Sequence, residues 1–196
     1  RFTAFSGYEW TGSNGAGELH RVVIFKDGVD DVTQVIPFSR RDGPNPEELW
    51  GYLSAYEEKT GGEVLAIPHN SNLSKGQAFS LSDNEGQPLN EAYAKTRSRW
   101  EPLVEVTQIK GDSETHKLLS PTDEFANYET WNNWNDKDRM PSPDAKEKAL
   151  KSHEYARSAL KLGLAQQAKL GVNPFKFGMI GSTDAHTSLA TADEDN

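Results

Sequence analysis

The chain has 196 residues, 35% apolar and 26% charged, with a formal net charge of −9 and no cysteine. That length suits one domain with a sizeable core, and no apolar run approaches the roughly 18 residues that a membrane helix needs. The acidic balance argues against a nucleic-acid backbone as main partner, and the lack of thiols excludes disulfides and thiolate zinc sites, leaving His, Asp and Glu as the strong metal ligands.

Phe2, Phe5, Tyr8 and Trp10 alternate with small residues and predict a strand ending at Glu9-Trp10. Residues 12–17 form a glycine-rich turn with no following helix, a poor match to phosphate-cradling loops. Residues 19–25, Leu-His-Arg-Val-Val-Ile-Phe, are β-branched and stop at Asp27-Gly28, so they read as a second strand paired with the first. In that hairpin Glu9 and His20 face each other near the turn. Asn45-Pro46-Glu47-Glu48 opens a helix, with Asn45 as N-cap, proline at the first position and acids in the first turn. Leu49, Trp50, Leu53 and Tyr56 mark its apolar face, and Gly61-Gly62 stops it.

Residues 63–70 predict a buried strand ending in Pro68-His69, where the proline should end ladder pairing. A polar excursion over 71–99 follows, with a short helix near 91–97 and a formal glycosylation triplet, Asn72-Leu73-Ser74, that carries no weight. Residues 103–109 are the next strand, with His116 beyond it. Residues 120–143 form a loop rich in asparagine and tryptophan, including Trp131 and Trp134. One long helix is expected over about 145–170, with Ala149, Leu150, Ala156, Ala159, Leu160, Leu164 and Ala168 as its core stripe. The apolar run 175–180 then ends at Gly181-Ser182-Thr183-Asp184-Ala185-His186, which offers two metal ligands one residue apart.

This order of elements predicts α/β units around a largely parallel sheet or barrel, whose ligands collect at the carboxyl ends of the strands. Glu9, His69, Asp184 and His186 fall at such ends, His116 lies just beyond one, and His20 begins the hairpin's second strand. His153 sits in a helix among charges and reads as a surface histidine. Imidazoles and carboxylates without thiolates suit zinc, manganese or iron, and a site for two or more ions bridged by a carboxylate such as Glu9. Such a site would reconcile an acidic protein with a small anionic ester substrate. Arg21, Arg40 and Arg41 are candidates to contact its anionic group.

Glu9, Leu19-His20-Arg21-Val22-Val23, Ala66-Ile67-Pro68-His69-Asn70, Val104-Glu105-Val106 and Gly181-Ser182-Thr183-Asp184-Ala185-His186 resemble, in this order, the polymerase-and-histidinol-phosphatase (PHP) superfamily of metal-dependent phosphoesterases. The phrases at 19–25, 106–114 and 119–125 look more narrowly like its bacterial DUF3604 branch. The resemblance implies part of a distorted (β/α)7 barrel with a trinuclear metal site at the strand ends, holding two or three ions in the full-length protein. In it Glu9 resembles the bridging carboxylate, His20, His69, His116, Asp184 and His186 resemble metal ligands, and Glu105 a motif residue. The superfamily opens with a His-x-His strand, whereas no histidine precedes His20. Residues 1–196 are therefore expected to be a single incomplete domain lacking its N-terminal strands and its C-terminal remainder, with a reduced metal site. The expected function is hydrolysis of a phosphoester or related anionic ester by metal-activated water, with Glu9, Asp184 and Arg21 as catalytic residues. The alternative is a non-catalytic glycan- or protein-binding module, in which the loop around Trp131 and Trp134 holds the partner and the histidines are structural.

Overall fold

The computed structural model describes residues 4–12, 17–131 and 145–186. Strands β1 (Ser6–Gly12), β2 (Leu19–Phe25) and β3 (Val64–Pro68) form an antiparallel sheet in that order. Between β2 and β3 run a short helix α1 (Val29–Val32) and the longer α2 (Pro46–Thr60). After β3 come a 3-10 turn (Ser71–Leu73) and α3 (Glu91–Trp100). The remaining elements are β4 (Leu103–Thr107), α4 (Ala145–Ser152), α5 (Ala156–Leu170) and β5 (Gly178–Gly181), with β4 and β5 paired in parallel.

This arrangement overturns the expected (β/α)7 barrel. The described residues form a small mixed α/β domain with two small sheets, one antiparallel and one parallel. A barrel needs each strand to be hydrogen-bonded to the next around a closed ring. Here β3 neighbours β4 without a shared ladder, so the two sheets stay separate. The α/β reading holds only for the second sheet, where a helical crossover joins two parallel strands, as parallel pairing requires.

The hairpin strands are two-faced. Trp10, Leu19, Val23 and Phe25 are buried, and Trp10, Val23 and Phe25 pack with Leu49, Trp50, Leu53 and Tyr56 of α2 and with Val64, Ala66 and Trp100 in the first core. The helix starts as its sequence predicts: Asn45 N–H donates to the Glu48 carboxylate at 2.9 Å, and Gly61 ends it at φ 74°. Gly12 is needed for a different reason, because a Cβ there would lie 2.2 Å from the Trp10 ring. The second core joins Val104 and Val106 of β4 to Ala156 and Ala159 of α5 and to Ala78, Phe79, Leu89 and Phe175.

Two local expectations change. The ladder runs one residue past Pro68, since His69 N–H donates to the His20 carbonyl at 3.2 Å; proline lacks a donor, but the next residue does not. The single long helix is broken between α4 and α5, where Tyr155 is extended (φ −114°, ψ 137°). Tertiary bonds make the break favourable. Phe79 N–H donates to the His153 carbonyl at 3.1 Å and Ala156 N–H to Ser113 at 2.9 Å, while Gly76 N–H reaches the Glu154 carboxylate at 3.2 Å. The core stripe rotates accordingly: Ala156, Ala159, Gly163 and Gln166 are buried, whereas Leu150 and Leu164 are exposed. His153, expected at the surface, is bonded through Nδ1 to the Phe79 carbonyl at 2.9 Å.

The two halves meet at Glu101, which is fully buried. Its Oε1 accepts from Arg21 Nε at 2.9 Å and from Trp50 Nε1 at 3.0 Å, and Arg97 lies 3.3 Å from Oε2. Burial pushes the Glu101 carboxyl up, but the charges of Arg21 and Arg97 outweigh it and its pKa is lowered. Removing one partner of a buried pair leaves an uncompensated charge. Glu101→Ala is therefore expected to lose about 3–5 kcal/mol in urea unfolding, and a loss within experimental error would show that Arg21 and Arg97 do not depend on it.

Burial also raises Glu154 to about 7 and Asp112 to about 6. Folded-state values above the unfolded ones give stability that is complete below the ordinary carboxyl pKa and is lost as pH rises through the folded values. The metal-free chain is thus expected to melt at a higher temperature at pH 5.5 than at pH 8. In a Glu154→Gln variant that slope should shrink, as calorimetric scans across the range would show.

Candidate metal centre

The pleat of β1 and β2 sends Glu9 and His20 out on the face opposite the first core. In register Glu9 opposes Val22 and Thr11 opposes His20, so the two are diagonal neighbours on one face. His69 continues β3 beside His20, the rings meeting edge-on with centroids 5.6 Å apart. Asp184 and His186 arrive on the loop after β5.

Glu9 is the hub. Its Oε1 lies 2.8 Å from His20 Nδ1 and 3.0 Å from His69 Nε2, and its Oε2 lies 3.0 Å from His186 Nε2. His69 Nε2 is also 3.7 Å from Asp184 Oδ1. Among the described residues these atoms make two groups that could hold a metal ion: Glu9 with His20 and His69, and Glu9 with Asp184 and His186. Donors in adjacent octahedral positions at metal–ligand distances of about 2.1 Å sit about 3.0 Å apart, close to the spacing of Glu9 from His20, His69 and His186.

Charge is already arranged for coordination. The hydrogen bond from His69, opposed by burial and reinforced by His186, holds the Glu9 carboxyl well below the usual carboxylate range. It therefore stays ionised, as a ligand must. The hydrogen bond with Glu9, followed by that to the Asp184 backbone, raises His186 above its ordinary value. Glu105 behaves oppositely: burial raises it, the Asp184 charge adds to the rise and His69 opposes it.

The remaining expected residues fall elsewhere. His116 is in neither group; it is buried, its ring lies 5.4 Å from that of Tyr155 and its Nδ1 accepts from Leu118 N–H at 3.1 Å. Arg21, one residue from His20, leaves β2 on the core face, is 2% exposed and stacks over Trp10. Arg40 and Arg41 are exposed on the loop before α2. Asn72 is fully buried, its Nδ2 donating to the Lys110 and Trp131 carbonyls at 3.0 Å each. Trp134 lies outside the described residues.

Three residues join the site that the sequence did not single out. Lys110 Nζ is ion-paired with Asp184 Oδ2, making it the cation at the centre. Gln108, with its amide turned to match its neighbours, donates to Asp184 Oδ2 at 3.1 Å and accepts from Asn70 N–H at 2.9 Å. Asn70 Nδ2 is 3.3 Å from His20 Nδ1. Asn70 and Asp184 both have left-handed backbones, φ 59° and 49°, a conformation that Asn and Asp tolerate best after glycine. An Asn directly after Pro68-His69 was the available signal.

Calorimetric titration with Mn²⁺ or Zn²⁺ checks the grouping. Glu9→Ala removes the residue common to both groups and is expected to abolish binding, while His116→Ala should leave it close to wild type. Affinity should weaken from pH 7.5 to 5.5, because an imidazole must be neutral to coordinate. Unchanged binding by Glu9→Ala would remove Glu9 from the site.

No curated protein and no solved structure matches the chain. A family model described as protein of unknown function (DUF3604) matches residues 1–196. That match spans the hairpin, the Pro68-His69-Asn70 turn and the Asp184-Ala185-His186 loop alike, and the chain belongs to the DUF3604 family.

Proposed function

We propose that the protein is a metal-dependent hydrolase of phosphoesters or related anionic esters such as sulfates. The observation that carries this reading is the Glu9 carboxylate, whose two oxygens face different histidines and which is common to both ligand groups. The order of motifs, which resembles that of the PHP phosphoesterases, supports it independently of any barrel.

His20 and His69 would hold one ion, Asp184 and His186 a second, with Glu9 between them. Zinc, manganese or iron suits this set of nitrogen and oxygen donors. Bound there, such ions would activate water as the nucleophile and offset charge on the ester. The chain's own contribution is placement. Asn70 and Gln108 tie the end of β3 to Asp184, and Lys110, paired with Asp184, brings to the centre a positive charge that would offset an anionic oxygen bound beside it. Arg21 has no part in this, since it lies on the other face of β2.

Chain reconstituted with Mn²⁺ or Zn²⁺ is expected to hydrolyse an aryl phosphodiester, phosphomonoester or sulfate, and chelation should abolish the rate. Glu9→Ala and Asp184→Ala should each lower kcat/KM by about 100-fold or more. Turnover of none of the three esters by metal-loaded chain would sink the proposal, as would full activity in both variants.

A further inference from the structure

On the core side of the hairpin, away from Glu9 and His20, a polar cavity of about 180 Å³ opens between β2, the start of α2, the loop at 77–84 and α3; Arg21, Glu47, Gln77, Ser82, Tyr93 and Arg97 are among its lining residues. Its walls carry unmet hydrogen-bonding capacity. Arg21 is 2% exposed and donates only from Nε, to Glu101; among the described residues its two terminal nitrogens have no partner. Arg97, 4% exposed, donates from one terminal nitrogen to the Ala78 carbonyl at 2.7 Å. Gln77 Oε1 and Glu47 Oε2 are buried acceptors without a donor. Buried polar groups are rarely left in this state, so donors and acceptors converging on one cavity call for an occupant that offers both.

The signs of the groups narrow its chemistry. A phosphate or other multiply charged anion would meet Glu47 and Asp83 in the same lining, and a cation would meet Arg21 and Arg97. Glu101 behind them offsets one of the two guanidinium charges, and Glu47 and Asp83 in the lining more than offset the other. A neutral molecule with several hydroxyls fits, because each hydroxyl both donates and accepts. Leu19, Pro46 and the Tyr93 ring add apolar wall for its C–H faces. We propose that this cavity is a binding site for a neutral polyol the size of one sugar ring, separate from the metal centre.

The experiment is an NMR titration of the metal-free, isotope-labelled chain with D-glucose, D-galactose, D-mannose, D-xylose and glycerol, with inorganic phosphate run alongside. At least one sugar is expected to give saturable shifts at Gln77, Ser80, Ser82 and Tyr93, with a Kd on the order of 1–10 mM. Ser82→Trp, on the cavity wall, should remove those shifts while leaving the rest of the spectrum folded. Gln77→Leu, which deletes an orphan acceptor without filling the space, should weaken binding about tenfold, roughly 1.4 kcal/mol. The proposal is overturned if no sugar saturates, which would leave ordered water as the occupant, or if phosphate alone binds. It is also overturned if the sugar shifts survive in folded Ser82→Trp.

Discussion

Consecutive side chains of β2 leave the strand on opposite faces, and that alternation separates the two chemistries of the molecule. His20 goes out toward Glu9, His69 and the loop after β5. Arg21, its immediate neighbour, goes in toward Trp10 and Glu101. A one-residue slip of register would exchange them, placing a guanidinium among the candidate ligands and an imidazole against a buried carboxylate. The apolar residues at 19, 23 and 25 prevent the slip, because the same shift would expose them.

Glu101 plays the matching role on the inner face. It follows α3, yet binds Arg21 of β2 and Trp50 of α2 and lies beside Arg97 of α3. The first core therefore contains a charge cluster whose net contribution to stability is small compared with the cost of breaking it. The hairpin face that carries Glu9 and His20 rests on this packing, so the outer site depends on a buried pair it never touches.

The outer site gathers groups far apart in sequence. Glu9 and His186 are 177 residues apart and 3.0 Å from each other. Imidazole nitrogens and the Lys110 ammonium surround the carboxylates of Glu9 and Asp184, and two left-handed residues hold the loops that deliver them. Strained or sparsely populated backbone tends to cluster where function requires a fixed geometry. Of the four left-handed non-glycine residues among those described, Asn70, Lys75, Glu129 and Asp184, two flank this cluster, one at the end of β3 and one after β5.

Much of this was legible in the sequence. The β1–β2 hairpin, the capped start of α2 with its buried Leu49, Trp50, Leu53 and Tyr56, His20 at the start of β2, and His69, Asp184 and His186 just beyond strand ends all follow from periodicity and end signals, which are local, whereas Glu9, expected at the end of its strand, lies in the middle of β1. The DUF3604 resemblance was legible too, because motif order is a property of the chain. What the sequence could not decide was non-local. Whether strands join one ring or two sheets depends on ladder pairing between β3 and β4, which no residue pattern encodes. The break between α4 and α5 is made by bonds to residues 76–79 and 113, and these override a helical pattern that has no glycine or proline at the break. Arg21 and Lys110 show the same limit in miniature. Each is a cation beside a candidate strand end, and only the pleat of β2 and the approach of the β5 loop decide which one stands beside the carboxylates.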